Sequence, residues 1–263
     1  MSDAKPVRLT TVRAYGAVSD AGPVRPLNED AYIAVPERQL FGVADGFGGN
    51  GIGDIAAKKC LEHVKYFVEH GLGDSEVTLP FIYRSYYTGG ANLVFNAFLY
   101  ANQQLFAENK KKQINGRGGA SVMFAFFEGR HMTLANVGAC SAFLVRRGRV
   151  QALVRPRSYN ALKGVFQGSW NPKYAFPLMA MGHSNDLEPE ILELKVEKGD
   201  LILLATDGVY PRLSEEDFAE CFSLLRKKDS LDMAIQEQNQ RLIEIAKSKG
   251  NTDNQALISL VCA

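Results

Sequence analysis

Leu40-Phe41-Gly42-Val43-Ala44-Asp45-Gly46 decides the fold, together with a second apolar run that ends in the same way, Leu201-Ile202-Leu203-Leu204-Ala205-Thr206-Asp207-Gly208. An apolar run of this length that is bounded by glycine predicts a buried β-strand. Each run therefore delivers an aspartate at the end of a strand, where a rigid scaffold holds the carboxylate beside water. Two carboxylates presented in this way from distant parts of one chain indicate a metal site.

Composition and charge narrow the class of protein. The chain has 263 residues, of which 46% are hydrophobic. A chain of this length buries roughly 70–75% of the surface that its unfolded form exposes, so we predict one domain over residues 1–263 that needs no disulfide bonds. Thirty basic and twenty-nine acidic residues give a net charge of +1, which removes the main electrostatic argument for a nucleic-acid partner or an anionic membrane.

Cysteine spacing and hydropathy predict a cytoplasmic protein. The four cysteines are widely separated and lack both a C-x-x-C pair and a nearby histidine at zinc-finger spacing, so we interpret them as reduced thiols. Residues 1–12 lack the apolar core of a signal peptide. No stretch approaches the roughly 18 apolar residues that span a bilayer. We therefore expect no membrane partner, and we expect a monomer, although the sequence leaves the oligomeric state open.

Hydrophobic periodicity predicts an α+β domain in which strands and helices are mixed. We expect helices over 52–71, 91–109, 214–226 and 230–249, and strands over 8–18, 31–35, 39–44, 120–127, 131–137, 142–146, 150–154, 190–196, 200–205 and 255–261. Consecutive short strands that are joined by tight turns favour antiparallel pairing. The segment from about 155 to 189 has no clear period, and irregular excursions of this length are usually functional or mobile.

The glycine cluster Gly46-Phe47-Gly48-Gly49-Asn50-Gly51 matches the dinucleotide pattern G-x-G-x-x-G. Its context disfavours that interpretation, because Asp45 would oppose a pyrophosphate and the later strands form hairpins. A flexible turn whose glycines only permit close packing remains open. We favour a metal site in which Asp45 is a bridging carboxylate and the Gly46 carbonyl is a neutral ligand, because Mg²⁺ and Mn²⁺ bind carboxylate, carbonyl and water oxygens.

Other acidic residues lie in contexts that suit the same site. Glu29-Asp30 follows Arg25 at a junction between a loop and a strand, and Asp253-Asn254 lies just before the last predicted strand. A single acidic loop residue is solvated far more often than it binds a metal. The order of the whole set along the chain is much more specific.

Six short motifs occur in this order: Arg25-Pro26-Leu27-Asn28-Glu29-Asp30, Val43-Ala44-Asp45-Gly46-Phe47-Gly48-Gly49, Ala135-Asn136-Val137-Gly138, Gly199-Asp200, Thr206-Asp207-Gly208 and Asp253-Asn254. This set resembles the type 2C (PPM) family of metal-dependent Ser/Thr protein phosphatases from about Tyr15 to Val261. Phe47, where animal members have histidine, is more similar to bacterial members. The resemblance implies a four-layer α-β-β-α sandwich of two mainly antiparallel sheets flanked by helix pairs, with a flap-like segment at about 155–189.

The resemblance also implies the ligands of two Mn²⁺ or Mg²⁺ ions. It assigns the first ion to Glu29, Asp45 and the Gly46 carbonyl, and the second ion to Asp45, Asp207 and Asp253. Asp30 would orient water from behind the ligands, and Arg25 would hold the substrate phosphate through its forked guanidinium. Four carboxylates match the charge of two divalent ions, so the site would approach neutrality.

Two positions depart from the family pattern. Ala139 replaces an aspartate that contributes to a third, weaker metal site in many members, and Pro211 occupies a position that is sometimes acidic in the same site. We therefore expect the third metal to be absent or weakly bound.

The implied function is hydrolysis of phosphoserine and phosphothreonine in proteins by a metal-activated water. The partners would be a phosphoprotein substrate and an opposing Ser/Thr kinase. Two alternatives remain open. One is a weakly active or inactive member that binds phosphoproteins as a regulator, which Ala139 and Pro211 favour; the other is hydrolysis of a small phosphorylated metabolite.

Overall fold

A computed structural model of the chain describes residues 11–71, 82–159, 176–223 and 230–263. The β-strands in these ranges are β1 (Val12–Asp20), β2 (Asp30–Val35), β3 (Leu40–Gly48), β4 (Gly118–Glu128), β5 (His131–Val137), β6 (Ser141–Arg146), β7 (Arg149–Val154), β8 (Glu190–Lys195), β9 (Leu201–Ala205) and β10 (Gln255–Cys262). The α-helices in the same ranges are α1 (Ile52–Gly71), α2 (Gly89–Lys110), α3 (Glu215–Ser223) and α4 (Leu231–Ser248).

The strands form two five-stranded sheets in which every neighbouring pair is antiparallel. The first sheet has the order β1-β10-β9-β6-β7, and the second has the order β2-β3-β4-β5-β8. One apolar cluster lies between the sheets, a second between α1, α2 and the second sheet, and a third between α3, α4 and the first sheet. The predicted α+β fold of four layers is thus confirmed.

Alternating side-chain directions in β3 place the chemistry at one end of this sandwich. Phe41 and Val43 belong to the cluster between the sheets, whereas Leu40 and Ala44 belong to the cluster under α1 and α2. Because successive side chains in a strand point to opposite faces, Asp45 shares the inner face with Phe41 and Val43. The apolar part of β3 is therefore followed by a carboxylate that faces the gap between the sheets.

The helices begin and end where local signals favour it. The hydroxyl of Thr88 accepts a hydrogen bond from the Ala91 backbone N–H at 3.2 Å, which caps the start of α2. Lys110 lies in the last turn of α2, where a positive charge suits the helix dipole. None of the helices in the described ranges is both long and apolar enough to cross a membrane.

Most of the predicted elements match the structure, with one instructive difference in β3. The prediction ended this strand at Ala44, but β3 continues through Asp45 to Gly48. The glycines do not break the strand, because residues 46–48 pair with the small residues 118–120 of β4. Asp45 is therefore held within a strand and flanked by neighbouring strands on both sides.

Some predictions fall partly outside the described residues. These are the first part of the strand over 8–18, the end of the helix over 214–226 and residues 160–175 of the irregular segment. The described parts of that segment contain isolated bridges between Ser158 and Pro177 and between Met181 and Ala120 of β4. The prediction of a single domain over 1–263 stays a prediction.

Helix α4 protects the outer edge of the first sheet, where β1 is the terminal strand. Asp232 and Gln236 accept hydrogen bonds from the backbone N–H groups of Tyr15 and Ala17, each at 2.9 Å. Unpaired strand edges invite pairing with other chains, and these side chains satisfy two N–H groups of that edge.

Asn239, on the same helix, is fully buried and connects β1 to β10. Its Nδ2 donates to the Gly16 carbonyl at 2.8 Å, and its Oδ1 accepts from the Ser259 hydroxyl. Asn239 therefore helps to fix β10, the strand that follows the predicted ligand Asp253.

We predict that Asn239→Ala lowers the free energy of unfolding by about 2 kcal/mol, because it removes two buried hydrogen bonds, one to the Gly16 carbonyl and one from the Ser259 hydroxyl. Gln240→Ala, on the exposed face of the same helix, is the matched control and should change stability by less than about 0.5 kcal/mol. Urea unfolding of the three proteins measures the difference. Equal stabilities of the two variants would contradict this role of Asn239.

Candidate metal centre

The predicted acidic residues lie at one end of the sandwich, where the two sheets meet. Asp30 begins β2 and is the direct cross-strand partner of Asp45 in β3. Asp207 follows the end of β9, and Asp253 shortly precedes β10. The structure therefore brings together carboxylates from both sheets, although they are far apart in the sequence.

A threonine hydroxyl joins the two sheets at this end. The Thr206 hydroxyl donates to Asp30 Oδ2 at 2.6 Å and accepts from the Ala256 N–H at 2.8 Å. Asp30 is only 6% exposed, so this charge-assisted hydrogen bond is sheltered from water. Thr206 thus fixes the orientation of Asp30 from the opposite sheet.

Two backbone N–H groups position Glu29. Its backbone carbonyl accepts from the Gly46 N–H at 3.1 Å, and its Oε1 accepts from the Gly53 N–H at 3.0 Å, near the start of α1. A Cβ atom at Gly46 would lie 2.0 Å from the Gly53 carbonyl oxygen, and one at Gly53 would lie 2.5 Å from Glu29 Oε1. These two glycines are therefore required for the close approach of the Glu29 loop, β3 and α1.

Asn254 holds the loop that carries Glu29. Its Oδ1 accepts from the Glu29 N–H at 2.9 Å, and its Nδ2 donates to the carbonyls of Ala21 and Leu27 at 2.8 and 2.9 Å. One buried amide thus makes hydrogen bonds along the whole loop. Asn254 is also adjacent in sequence to Asp253, so it links the positions of two predicted ligands.

Burial raises the pKa values of the clustered acids, and their mutual repulsion adds to the effect. The pKa of Asp30 lies well above its ordinary value because of burial, despite the hydrogen bond from Thr206, and the negative charges of Asp207 and Asp253 raise it further. Burial likewise raises the pKa of Asp45, and the negative charges of Asp30 and Asp253 raise it further. This pair therefore holds its protons to a higher pH than free carboxylic acids do.

The same causes act on the other acids of the cluster. Burial raises the pKa of Asp207, and the charges of Asp45 and Asp253 add to the rise, while Arg25 opposes it. Burial also raises the pKa of Glu29. Asp45 and Asp207 keep partial contact with solvent, which moderates the effect. The cluster therefore carries more negative charge than the protein neutralises, and this excess favours cation binding.

The guanidinium of Arg25 is paired with one of the acids of the site. Its Nε lies 3.0 Å from Asp253 Oδ1, and its Nη2 donates to Asp253 Oδ2 at 3.2 Å. The predicted phosphate-binding group is thus engaged in a forked ion pair with a predicted metal ligand. Sequence reasoning had assigned the two residues to different partners.

Ala139, at a position where the resemblance implies an aspartate, is instead part of a buried hydrogen-bond network. Ala139 is 1% exposed, its N–H donates to the Ser121 hydroxyl at 3.1 Å, and its carbonyl accepts from the Tyr210 hydroxyl at 2.8 Å. The adjacent Cys140 is fully buried, and burial together with the nearby Asp45 raises the pKa of its thiol. Cys140 therefore remains a protonated thiol rather than a nucleophile.

The described residues do not present a closed coordination shell. Among them, no three His, Cys, Asp or Glu side chains converge closely enough to hold a metal ion as they stand. Asp253 is engaged by Arg25, and Asp30 is engaged by Thr206. The acids share one end of the sandwich, but ligation by three of them requires side-chain movement.

Sequence reasoning missed the groups that support the acids. Thr206 and Asn254 lie inside the quoted motifs, and Tyr210 lies just beyond one of them, but none was given a role. A polar residue between an apolar strand and an acidic residue was the available signal for Thr206. No local signal identifies the Tyr210 hydroxyl as a partner of the distant Ala139 carbonyl.

Comparison with known proteins identifies the class to which this arrangement belongs. The sequence model of the family described as protein phosphatase 2C matches residues 26–242, which is well over half of the chain. The chain therefore belongs to the protein phosphatase 2C family, as the resemblance predicted.

Curated relatives carry names from the same family. The chain is 25% identical over 259 residues to the serine/threonine protein phosphatase PstP of Mycobacterium tuberculosis, covering 95% of this chain and 45% of PstP. It is 24% identical over 245 residues to a putative protein phosphatase 2C-type protein of Streptococcus pyogenes, covering 90% of this chain and 92% of that protein. The chain thus spans less than half the length of PstP.

Solved structures share the fold. The catalytic domain of PstP, in a structure described as a complex with two manganese ions, superposes with a TM-score of 0.75 at 23% identity, covering 96% of this chain and 99% of that one. A serine/threonine phosphatase of S. agalactiae superposes with a TM-score of 0.77 at 20% identity, covering 95% and 99% of the two chains.

We predict that Asn254→Ala loosens the Glu29 loop, because the substitution removes one acceptor and two donated hydrogen bonds. Amide hydrogen exchange in the cation-free protein should show the Glu29 N–H exchanging at least about 10-fold faster, since each lost hydrogen bond contributes about 1 kcal/mol. Thr252→Ala, at an exposed neighbouring position, should leave that rate unchanged. Unchanged exchange in Asn254→Ala would contradict the proposed role of its amide.

Proposed function

We propose that this chain is a metal-dependent phosphatase that hydrolyses phosphoserine and phosphothreonine in proteins. The observation that carries the proposal is the cluster of acids at the meeting point of the sheets, whose pKa values burial raises. An excess of buried negative charge is destabilising unless cations neutralise it. Membership of the protein phosphatase 2C family and the names of the relatives support the same function.

The donor set suits Mn²⁺ or Mg²⁺. All the proposed ligands supply oxygen, and hard divalent cations prefer carboxylate, carbonyl and water oxygens. We assign one ion to Glu29, Asp45 and the Gly46 carbonyl, and a second ion to Asp45, Asp207 and Asp253. The structure of the PstP catalytic domain with two manganese ions supports this number and this choice of metal. Movement of Asp253 away from Arg25 is the main rearrangement that the assignment requires.

Such ions, when bound, supply an activated water and neutralise charge on the phosphoryl group. The protein contributes orientation and electrostatics around them. Asp30, fixed by Thr206, is placed to accept a hydrogen bond from water and to hold its proton. The guanidinium of Arg25 can bind two phosphate oxygens at once through its forked geometry. The mechanism needs no covalent nucleophile, and the thiol of Cys140 stays protonated.

We propose that a third ion is absent or weakly bound. Ala139 offers no carboxylate, and the Tyr210 hydroxyl occupies its carbonyl. Pro211 likewise offers no carboxylate at the following turn. The Tyr210 hydroxyl thus connects two loops on the side of the site where an additional acid would be needed.

The wider setting follows from this activity. The substrate would be a phosphoprotein in the cytoplasm, and an opposing Ser/Thr kinase would supply the phosphate groups. We propose a monomeric catalytic unit, in which the described start of the segment at about 155–189, residues 155–159, lies beside the site. A backbone hydrogen bond supports this position, because the Arg157 N–H donates to the Gly138 carbonyl at 2.9 Å, next to Ala139.

A second candidate function is phosphoprotein binding with little or no catalysis. Two observations favour it, namely the occupied fork of Arg25 and the absence of three converging ligands among the described residues. A member of this kind would bind a phosphothreonine peptide without turning it over.

We predict that removal of divalent cations with EDTA abolishes hydrolysis of p-nitrophenyl phosphate and of a phosphothreonine peptide, and that added Mn²⁺ restores it. Asp207→Asn should lower the Mn²⁺-dependent kcat/KM by about 100-fold or more, because it removes a charged ligand. Steady-state kinetics with both substrates measures these effects.

Glu62→Gln is the matched control, because Glu62 is an exposed acid in the middle of α1. It should keep the activity of the wild-type protein. Activity that survives EDTA, or that is unchanged in Asp207→Asn, would contradict the proposed function. Peptide binding without turnover in the Mn²⁺-loaded wild-type protein would favour the regulator, and faster turnover of small metabolites than of phosphopeptides would favour the third interpretation.

A further inference from the structure

The forked ion pair between Arg25 and Asp253 joins two groups with separate roles in the proposed function. Two nitrogens of the guanidinium contact the two oxygens of the carboxylate: Nε lies 3.0 Å from Oδ1, and Nη2 donates to Oδ2 at 3.2 Å. In this geometry Asp253 occupies the forked edge of the guanidinium that Nε and Nη2 form, an edge that also suits two oxygens of a phosphate. Arg25 therefore cannot bind phosphate through that edge while the pair is intact.

The backbone on both sides of the pair is fixed. Asn254 makes hydrogen bonds to the Arg25 loop at Ala21, Leu27 and Glu29. Gly22 packs so closely that a Cβ atom there would lie 2.3 Å from the Asp253 carbonyl oxygen. Any exchange of partners must therefore come from the two side chains and not from movement of the loop.

The side chains themselves are free to exchange. The side chain of Arg25 is 55% exposed and that of Asp253 is 37% exposed. Ion pairs between partly exposed groups are weak, because solvent screens them and long side chains lose entropy. A divalent cation that other carboxylates already attract can compete with such a pair for the oxygens of Asp253.

We propose that Arg25 and Asp253 form an exchange pair, in which each side chain gives up the other for a ligand, so that cation binding is coupled to phosphate binding. This proposal rests on the proposed function. When Asp253 engages a cation, the guanidinium of Arg25 would be released, and its fork would be free to bind the substrate phosphate. Without the cation, Arg25 stays on Asp253 and the phosphate site is incomplete. The pair thus imposes an order in which the cation binds before the phosphorylated substrate.

A different arrangement of the same residues makes the opposite prediction. Each carboxylate oxygen has two lone pairs, so Asp253 is chemically able to contact a cation and Arg25 together. Arg25 would then hold Asp253 in position for the metal, and its loss would weaken metal binding. The sign of the change in Mn²⁺ affinity distinguishes exchange from positioning.

Calorimetric titration of Mn²⁺ into Arg25→Gln tests the first half of the proposal. Exchange predicts several-fold tighter Mn²⁺ binding than in the wild-type protein, because the competitor is gone. Arg149→Gln removes an exposed arginine at the opposite end of β6 and β7 and should leave the affinity unchanged. Weaker Mn²⁺ binding in Arg25→Gln overturns the exchange and leaves the proposed function intact. Failure of Mn²⁺ to bind the wild-type protein overturns both.

Titration of phenylphosphonate, a non-hydrolysable phosphate mimic, into the cation-free protein tests the second half. Asp253→Asn should bind it about 10-fold more tightly than the wild-type protein, because the fork of Arg25 is released. The double variant Arg25→Gln/Asp253→Asn should bind phenylphosphonate no more tightly than Arg25→Gln alone. A gain that persists there arises from the loss of negative charge alone and overturns the proposal.

Discussion

Several carboxylates clustered at the meeting point of two sheets are the constraint on which the rest of this structure depends. Asp30 is buried and Asp45 and Asp207 are partly buried, which raises their pKa values, and their mutual repulsion adds to the rise. The β-sandwich tolerates this arrangement because the rest of its interior is apolar and continuous. The destabilising charge is confined to one end, where cations can neutralise it.

The groups around the acids fix them without neutralising them. The Thr206 hydroxyl, at the end of the first sheet, donates to Asp30. Asn254, which follows Asp253 in the sequence, accepts a hydrogen bond from the Glu29 backbone. Neither side chain carries a positive charge. Arg25 is the exception, and its pairing with Asp253 gives the cluster a partial counter-charge that a bound cation would replace. Positioning and neutralisation are thus supplied by different residues.

Sequence patterns predicted the fold well, because hydrophobic periodicity reports which face of an element is buried. They also predicted that Asp45 and Asp207 lie at the same end of the sheets. They failed where contacts depend on the folded geometry. A glycine in the sequence predicts the end of a strand, yet Gly46 continues β3, because it pairs with the small residue Ala120 of β4. The pairing of Arg25 with Asp253 joins residues at opposite ends of the chain, and no local pattern reports it.

Under the proposed function, Asp45 would be a ligand shared by two divalent cations. Anomalous diffraction from crystals soaked in Mn²⁺ tests it most directly, because the signal counts the ions and locates each one. The account predicts two peaks about 3.5–4 Å apart with Asp45 between them, and no peak of comparable height beside Ala139. A single peak, or peaks that do not contact Asp45, would contradict it.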